Sequence, residues 1–148
     1  MNQSRTIIID DGTREYTIQN TYGKTIAVVH FRPGDISIAD RYQTMRDSFS
    51  EIVQPLADID IKADGTAEDD AGIEAIRKAD AALRGKLQEL LDSDDAGDVF
   101  KTRNPFSSVG GRFFCEVVID ALGGIIGAVM AEEAEASRKR TAKYIEED

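Results

Sequence analysis

The stretch from residue 104 to residue 130, NPFSSVGGRFFCEVVIDALGGIIGAVM, constrains this fold more than any other part of the sequence. Five glycines stand in or beside a long apolar run that two acids, Glu116 and Asp120, interrupt. Those acids leave about 11 uncharged residues, from Ala121 to Ala131, whereas a membrane span needs roughly 20. The glycines match neither the P-loop nor the dinucleotide-binding spacing. The stretch therefore predicts a packing helix rather than a membrane segment or a phosphate-binding loop.

A helix from about Arg112 to Arg140 accounts for this pattern. Its apolar side is wider than the stripe of an ordinary amphipathic helix. The residues of that side are Phe114, Val118, Leu122, Ile125 and Val129, widened by Cys115, Ile119, Ile126 and Met130. Gly123 and Gly127, one turn apart, would let another helix approach closely, although each costs about 1 kcal/mol of helix propensity. We expect the chain's own helices to cover this surface, with a second chain as the alternative.

Length, charge and cysteine content limit the class of protein. The 148 residues suffice for one domain with its own core, so we predict a single domain over residues 1-148. A net charge of -10 would repel the phosphates of a nucleic acid. One cysteine cannot form an internal disulfide, and the first residues lack the pattern of a signal peptide. We expect a cytoplasmic protein that binds neither nucleic acid nor membrane.

Three segments near the N-terminus have the composition of β-strands. RTIIID (5 to 10) and REYTIQN (14 to 20) flank the turn residues Asp11-Gly12-Thr13, and KTIAVVHF (24 to 31) follows a second turn. They predict a three-stranded antiparallel meander over about residues 5-31. One alternating set of side chains would be buried: Ile7, Ile9, Tyr16, Ile18, Ile26, Val28 and His30, or the residues between them.

Two more helices are predicted before the final one. The first has apolar residues at spacings of 4, 3, 4, 3 and 4, namely Ile38, Tyr42, Met45, Phe49, Ile52 and Leu56. Asp35 or Ser37 is its candidate N-cap, and Pro55 should kink or end it. The second runs from about Glu68 to Leu91, after an acidic linker, and its apolar side is Ile73, Ile76, Leu83, Leu87 and Leu90. The fold class is α+β: an N-terminal three-stranded antiparallel β-meander followed by three main α-helices, with the helical part at about 36-140.

Chemical sites are few. Calcium loops starting at Asp60 or Asp92 fail, because their twelfth positions are Ala71 and Arg103 instead of a glutamate. Cys115 and His30 cannot by themselves form a zinc cluster of the usual kind. A nucleophilic pair of the two is conceivable, but a buried cysteine and a strand-end histidine are the simpler interpretation. Glu116 and Asp120 stand one turn apart and are interpreted as solvated acids. We expect no cofactor, no metal and no enzymatic activity.

The charged tail, residues 138-148, suggests a partner site. Cations near the end of a helix complement its dipole, which accounts for most of the pattern. The sharper interpretation is that they hold an acidic surface of another chain, with Tyr144 and Ile145 as an apolar anchor. The candidate protein-binding residues of the whole chain, chosen for apolarity or charge, are Phe106, Phe113, Phe114, Ile125, Ile126, Arg138, Lys139, Arg140 and Tyr144.

Three segments carry a resemblance to a known group of proteins: FRPGDISIADRYQTM (31 to 45), NPFSSVGGRFFCEVVIDAL (104 to 122) and RKRTAKY (138 to 144). Together with the order of elements, they resemble small proteins encoded in the tail modules of prophages of Gram-positive bacteria, some of which are tail assembly chaperones. The resemblance implies a non-enzymatic protein of the bacterial host cytoplasm that holds the tape measure protein and gathers tail tube subunits around it.

Three hypotheses follow. The first is an assembly chaperone or adaptor for helical tail proteins, since an amphipathic client helix can be held in an apolar groove. The second is a homo-oligomer that serves as a self-assembling structural component of the tail or connector. The third is a small enzyme that uses Cys115 or His30.

Overall fold

The computed structural model describes residues 4 to 62 and 66 to 146. Its strands and α-helices are, in order, β1 (Arg14–Gln19), β2 (Thr25–Phe31), α1 (Ile38–Val53), α2 (Asp70–Leu91), β3 (Ser108–Val109), β4 (Arg112–Phe113) and α3 (Phe114–Glu146). Short 3-10 helices cover Gln54–Leu56 and Ala96–Phe100. The α+β class and the three main helices are those that the sequence predicts.

The N-terminal sheet has two strands in the part of the chain described, so the predicted three-stranded meander is wrong. β1 and β2 pair antiparallel, with Arg14 opposite Phe31. Residues 5 to 10 form no strand, although their composition favours one. β-propensity measures how well a side chain fits a half-buried pleated surface, and this segment has no such surface to cover within the chain.

Of the two alternating sets of side chains that the sequence offers for burial, β2 buries the second, the residues between Ile26, Val28 and His30 and after them. Ala27, Val29 and Phe31 point into the core, whereas Val28 and His30 point outward. The 3-10 helix Ala96–Phe100 packs on this face, and the ring of Tyr16 lies 5.0 Å from that of Phe31. Since successive side chains of a strand alternate between faces, packing of one set fixes the exposure of the other.

α1 presents the predicted stripe to the core. Ile38, Met45 and Leu56 are buried, and Tyr42, Phe49 and Ile52 pack against them half-buried. The α-helix ends at Val53, two residues before Pro55, as a proline that lacks an N–H requires. Ser37 occupies the N-cap position without a side-chain hydrogen bond. Asp35 instead accepts the backbone N–H of Ser37 at 3.0 Å and so fixes the turn into the helix.

α2 begins at Asp70, two residues after the predicted start. Asp69 caps it by accepting the backbone N–H of Gly72 at 2.7 Å. The predicted apolar side is confirmed, since Ile76, Leu83, Leu87 and Leu90 are buried and Ile73 packs against the core. Part of the linker before α2 packs on the protein, because Ile59 and Ile61 contact the core. Residues 63 to 65, within the rejected calcium loop that starts at Asp60, lie outside the described residues.

The segment between α2 and α3 turns the chain back onto the core. β3 and β4 form a small hairpin whose turn residues, Gly110 and Gly111, have φ angles of +57° and +82° that favour glycine. Phe100 and Phe106 from this segment are buried with the start of α3. α3 therefore starts inside the core and runs outward.

Candidate protein-binding surface on the C-terminal helix

About half of α3 extends beyond the part of the helix that packs on the core. Its 33 residues extend over roughly 50 Å at about 1.5 Å per residue. The first half is anchored in the core by Phe114, Cys115, Val118, Ile119, Leu122 and Ile126. Every residue from 131 to 145 is exposed. We call residues 131 to 145 the C-terminal arm.

Gly123 lets α1 approach the first half of α3. The Tyr42 hydroxyl donates a hydrogen bond to the carbonyl oxygen of Ile119 at 3.3 Å. A Cβ on Gly123 would lie only 2.5 Å from Cζ of Tyr42, so the ring occupies the space that a side chain would need. The close approach predicted at Gly123 is confirmed, and α1 of the same chain provides the cover. At Gly127 no other part of the described chain lies within 4 Å of the corresponding position, so the chain's own helices do not approach there, and approach by a second chain stays a prediction.

The opposite side of this half carries small residues and faces outward. We call the exposed residues Ala121, Gly124, Gly127, Ala128 and Ala131 the outer face. An Ala and Gly surface allows a partner's backbone to come close, but without side chains it provides little binding energy of its own. The outer face is continuous with the C-terminal arm.

α3 also meets a length and composition criterion for a membrane span. Phe114–Ile145 contains an 18-residue window apolar enough to cross a bilayer, of which 33% is buried inside the protein. The sequence argument against a span considered only the uncharged residues after Asp120. This criterion allows up to two charged residues in the window, so the helix meets it. A core helix of a soluble protein meets the same criterion. The cytoplasmic location stays a prediction.

The cations of the arm lie in open solvent. Arg140 donates to the Tyr144 hydroxyl at 3.1 Å and stacks with its guanidinium 5.7 Å from the ring centre, which orders both side chains. Arg138 forms an ion pair with Glu135. Within the described ranges, Lys139 has no ion-pair partner. The arm therefore offers charge and one ordered aromatic group to solvent.

A charged groove lies where α3 leaves the body. It is lined by the β1–β2 hairpin on one side and by Val129, Glu132 and Glu133 on the other, with a volume of about 730 Å³. Glu133 approaches Gly34, where an added Cβ would lie 3.3 Å from Cγ of Glu133. Asp10, next to the lining residue Asp11, accepts a hydrogen bond from Arg14 that lowers its pKa to about 2. Five carboxylates and two arginines line the groove, so its net charge is negative.

The structure separates the predicted binding residues into two groups. Phe106, Phe114 and Ile126 are 2%, 6% and 4% exposed, so they are core residues and cannot form a surface in this fold. They were chosen for apolarity, which does not distinguish an internal surface from an external one. Phe113 and Ile125 are half-buried, and Arg138, Lys139, Arg140 and Tyr144 are exposed. Of the predicted group, only these six are accessible to a partner.

The acids Glu116 and Asp120 both bind Arg112. Glu116 also accepts the backbone N–H of Phe113 at 3.2 Å, so it satisfies a donor at the beginning of α3. Together they hold the β4 residue Arg112 against the helix. Their arrangement is an ion-pair network rather than a pair of free acids.

Cys115 has the properties of a core residue. It is fully buried, its backbone N–H donates to the carbonyl of Pro105 at 2.8 Å, and burial raises the pKa of its thiol to about 12. Thiolate is the reactive form, and almost none exists at neutral pH with such a pKa. We expect a thiol reagent at pH 8 to label the native protein slowly and the denatured protein at the rate of a free cysteine. Rapid labelling of the native protein would contradict this burial.

His30 is held between two carboxylates. Its Nδ1 lies 2.7 Å from Asp95 and its Nε2 lies 3.2 Å from Glu15, so neither nitrogen is left free for a substrate proton. The hydrogen bond with Asp95 raises the pKa of His30 above its ordinary value of 6.5. This bond connects the solvent-exposed side of β2 to the loop after α2. The arrangement is that of a structural ion pair.

A raised histidine pKa makes stability depend on pH in a defined direction. The contribution of protonated His30 is fully present below pH 6.5 and is lost as pH rises through the higher folded-state pKa. We therefore expect the wild-type chain to lose some stability as pH rises above 6.5, a loss that a His30→Gln variant does not show. Urea unfolding at several pH values measures the difference. Parallel pH profiles of the two proteins would contradict the prediction.

No three His, Cys, Asp or Glu side chains come together in a metal-binding arrangement among the residues described. Sequence reasoning missed Tyr42 as the partner of Gly123, because nothing local connects residues 77 positions or more apart. It also missed the exposure of Ile7, Ile8 and Ile9, which it assigned to a strand.

Comparison of the chain with protein-family models, with curated proteins and with solved structures gave no match.

Proposed function

We propose that this protein is a non-enzymatic assembly chaperone or adaptor that binds a helical partner. Its role would be like that of tail assembly chaperones, which hold the tape measure protein and gather tail tube subunits around it. The observation that carries the proposal is the C-terminal arm: residues 131 to 145 are helical and exposed, and beyond the contact of Glu133 with Gly34 the helix runs outward from the body. In water, an isolated helix of about 15 residues is only marginally stable. A partner helix laid along the arm would stabilise both.

The outer face supports the same proposal. Its small residues lead directly into the arm, so a partner helix could follow α3 from Ala121 outward without steric obstruction. The arm adds cations at Arg138, Lys139 and Arg140 for acidic stretches of the partner, and Tyr144 as an aromatic anchor. Tape measure proteins are long and helical, which suits this geometry. Neither Cys115 nor His30 offers a comparable basis for the enzyme hypothesis.

Co-expression tests the proposal. The chain would be produced together with the tape measure and tail tube proteins of the phage or prophage that encodes it, and complexes isolated by an affinity tag. We expect a stable complex and more soluble tape measure protein. Absence of both would contradict the chaperone function, and sedimentation of the chain with membrane vesicles would contradict its cytoplasmic location.

A matched pair of variants tests the surface. Ala128→Arg places a long cation on the outer face, whereas Ala81→Arg makes the same change on an exposed position of α2. We expect Ala128→Arg to weaken the complex at least tenfold and Ala81→Arg to leave it unchanged, with both proteins unfolding at the wild-type temperature. Equal effects of the two variants would show that the partner does not use the outer face.

A further inference from the structure

Residues 5 to 11, RTIIIDD, hold the largest exposed aliphatic cluster of the described chain. Ile7, Ile8 and Ile9 are 87%, 90% and 76% exposed. Three adjacent β-branched residues strongly favour an extended strand, yet they pair with no strand among the described residues. Exposed β-forming segments of this kind are sites of pairing with another chain.

The turn before β1 holds this segment apart from the sheet. Asp10 accepts the backbone N–H of Gly12 at 2.9 Å and pairs with Arg14, and Asp11 accepts the N–H of Thr13 at 3.0 Å. Gly12 has a φ angle of +89°, which favours glycine. Short-range hydrogen bonds therefore fix this turn, while the three isoleucines remain outside.

We propose that two copies of this chain pair through residues 5 to 11 as antiparallel strands, with Ile8 of one copy opposite Ile8 of the other. In a two-fold antiparallel pair, the residue on the symmetry axis lies opposite itself. Ile7 then lies opposite Ile9, and Arg5 lies opposite Asp11. Each isoleucine thereby gains an aliphatic neighbour across the strands.

Charge complementarity selects the second copy and this register. Arg5 has no ion-pair partner among the residues described. The Asp11 side chain is 50% exposed, and besides its hydrogen bond from Thr13 it has a long ion pair with Arg32, at 3.9 Å. Pairing about Ile8 forms the Arg5 to Asp11 ion pair twice. Pairing about Ile7 would place Arg5 opposite Ile9, and pairing about Ile9 would place Ile7 opposite Asp11. Both alternatives lose the two ion pairs.

The two faces of the proposed pair differ. Arg5, Ile7, Ile9 and Asp11 lie on one face, because side chains alternate along a strand. Four isoleucines, two from each copy, would form one apolar patch between the two ion pairs. An interface this short lies at the small end of known sizes, so we expect a dimer that dissociates on dilution.

Cysteine cross-linking tests the register. In an antiparallel pair, opposed residues have Cα atoms about 4.5 to 5.5 Å apart, a distance that a disulfide can span. We expect Ile8→Cys to form a covalent dimer under mild oxidation and Ile7→Cys alone to form little. An equal mixture of Ile7→Cys and Ile9→Cys should form a heterodimer. Cys115 does not compete because it is buried. Stronger cross-linking of Ile7→Cys than of Ile8→Cys would overturn the register.

Charge exchange tests the pairing without oxidation. Arg5→Glu and Asp11→Lys each place like charges opposite one another in a homodimer, so sedimentation equilibrium should show at least tenfold weaker self-association for each. Mixed in equal amounts, they restore both ion pairs and should associate like the wild type. A wild-type chain that stays monomeric at every concentration, or a mixture no stronger than its components, would overturn the proposal. All substituted positions are exposed, and circular dichroism checks that the variants fold.

Discussion

Replacing Gly123 by leucine is expected to lower the free energy of unfolding by about 2–4 kcal/mol, because the new side chain and the Tyr42 ring cannot occupy the same space. The ring would have to leave α3 and give up its hydrogen bond to Ile119. Arg46, whose guanidinium lies 5.9 Å from the ring centre, would move with it. Urea denaturation measures the loss. Against a total of about 5–15 kcal/mol for a domain, it is a large fraction of the stability.

The neighbouring glycine provides the control. Outside its own helical turn, no atom of the described residues lies within 4 Å of an added Cβ on Gly124, so Gly124→Leu should leave stability unchanged or raise it by about 1 kcal/mol through helix propensity. Combining Gly123→Leu with Tyr42→Ala removes the clash, so the two changes should cost at least 1 kcal/mol less together than the sum of their separate effects. Additive effects would mean that Gly123 and Tyr42 are not in contact.

Phe100→Ala is expected to have the largest effect of any single truncation considered, a loss of about 3–5 kcal/mol. The Phe100 ring is 3% exposed and meets Phe114 of α3 edge-on at 5.9 Å. The Arg84 guanidinium of α2 lies 5.5 Å from the ring centre and also donates to the Phe100 carbonyl at 3.1 Å. The 3-10 helix that contains Phe100 packs on β2. Truncation of Phe100 would therefore leave a cavity where the sheet, α2 and α3 meet.

Calorimetry or urea unfolding measures this loss, and Tyr22→Ala is the matched control. Tyr22 is 95% exposed, so its truncation should change stability by no more than about 0.5 kcal/mol. Phe100→Leu keeps most of the buried volume and should fall between the two. If Phe100→Ala and Tyr22→Ala had equal effects, the 3-10 helix would not be part of the core.

The helices illustrate what periodicity predicts well. The spacing in α1 and α2 identified both buried faces, because a helix that covers a core must repeat its apolar residues about every 3.6 positions. The end of α1 before Pro55 was predicted, whereas the Asp69 cap of α2 was not, although both depend on groups within four residues. Such local hydrogen bonds and steric limits are legible in the sequence.

The candidate site was predicted less completely. The charged residues Arg138, Lys139 and Arg140 were identified as accessible, since charge is seldom buried. Phe114 and Ile126 were expected both on the packing side of the final helix and among the binding candidates, and only the first expectation is confirmed. Phe106 was named only as a binding candidate. An apolar side chain suits an internal surface and an interface between chains equally well. The division of α3 into an anchored half and an exposed arm also depends on how far along the helix the other elements pack, which no local sequence pattern specifies.

By itself, the sequence determined the α+β class, the number of main helices and the face that α1 and α2 bury, because periodicity and capping act over a few neighbouring residues. Tertiary structure decided which alternating set of β2 is buried, that Tyr42 fills the space beside Gly123, and that residues 5 to 10 do not join the sheet. Those outcomes depend on contacts between residues far apart in the chain. Such contacts form only where the assembled surfaces fit one another, and propensity alone does not specify the fit.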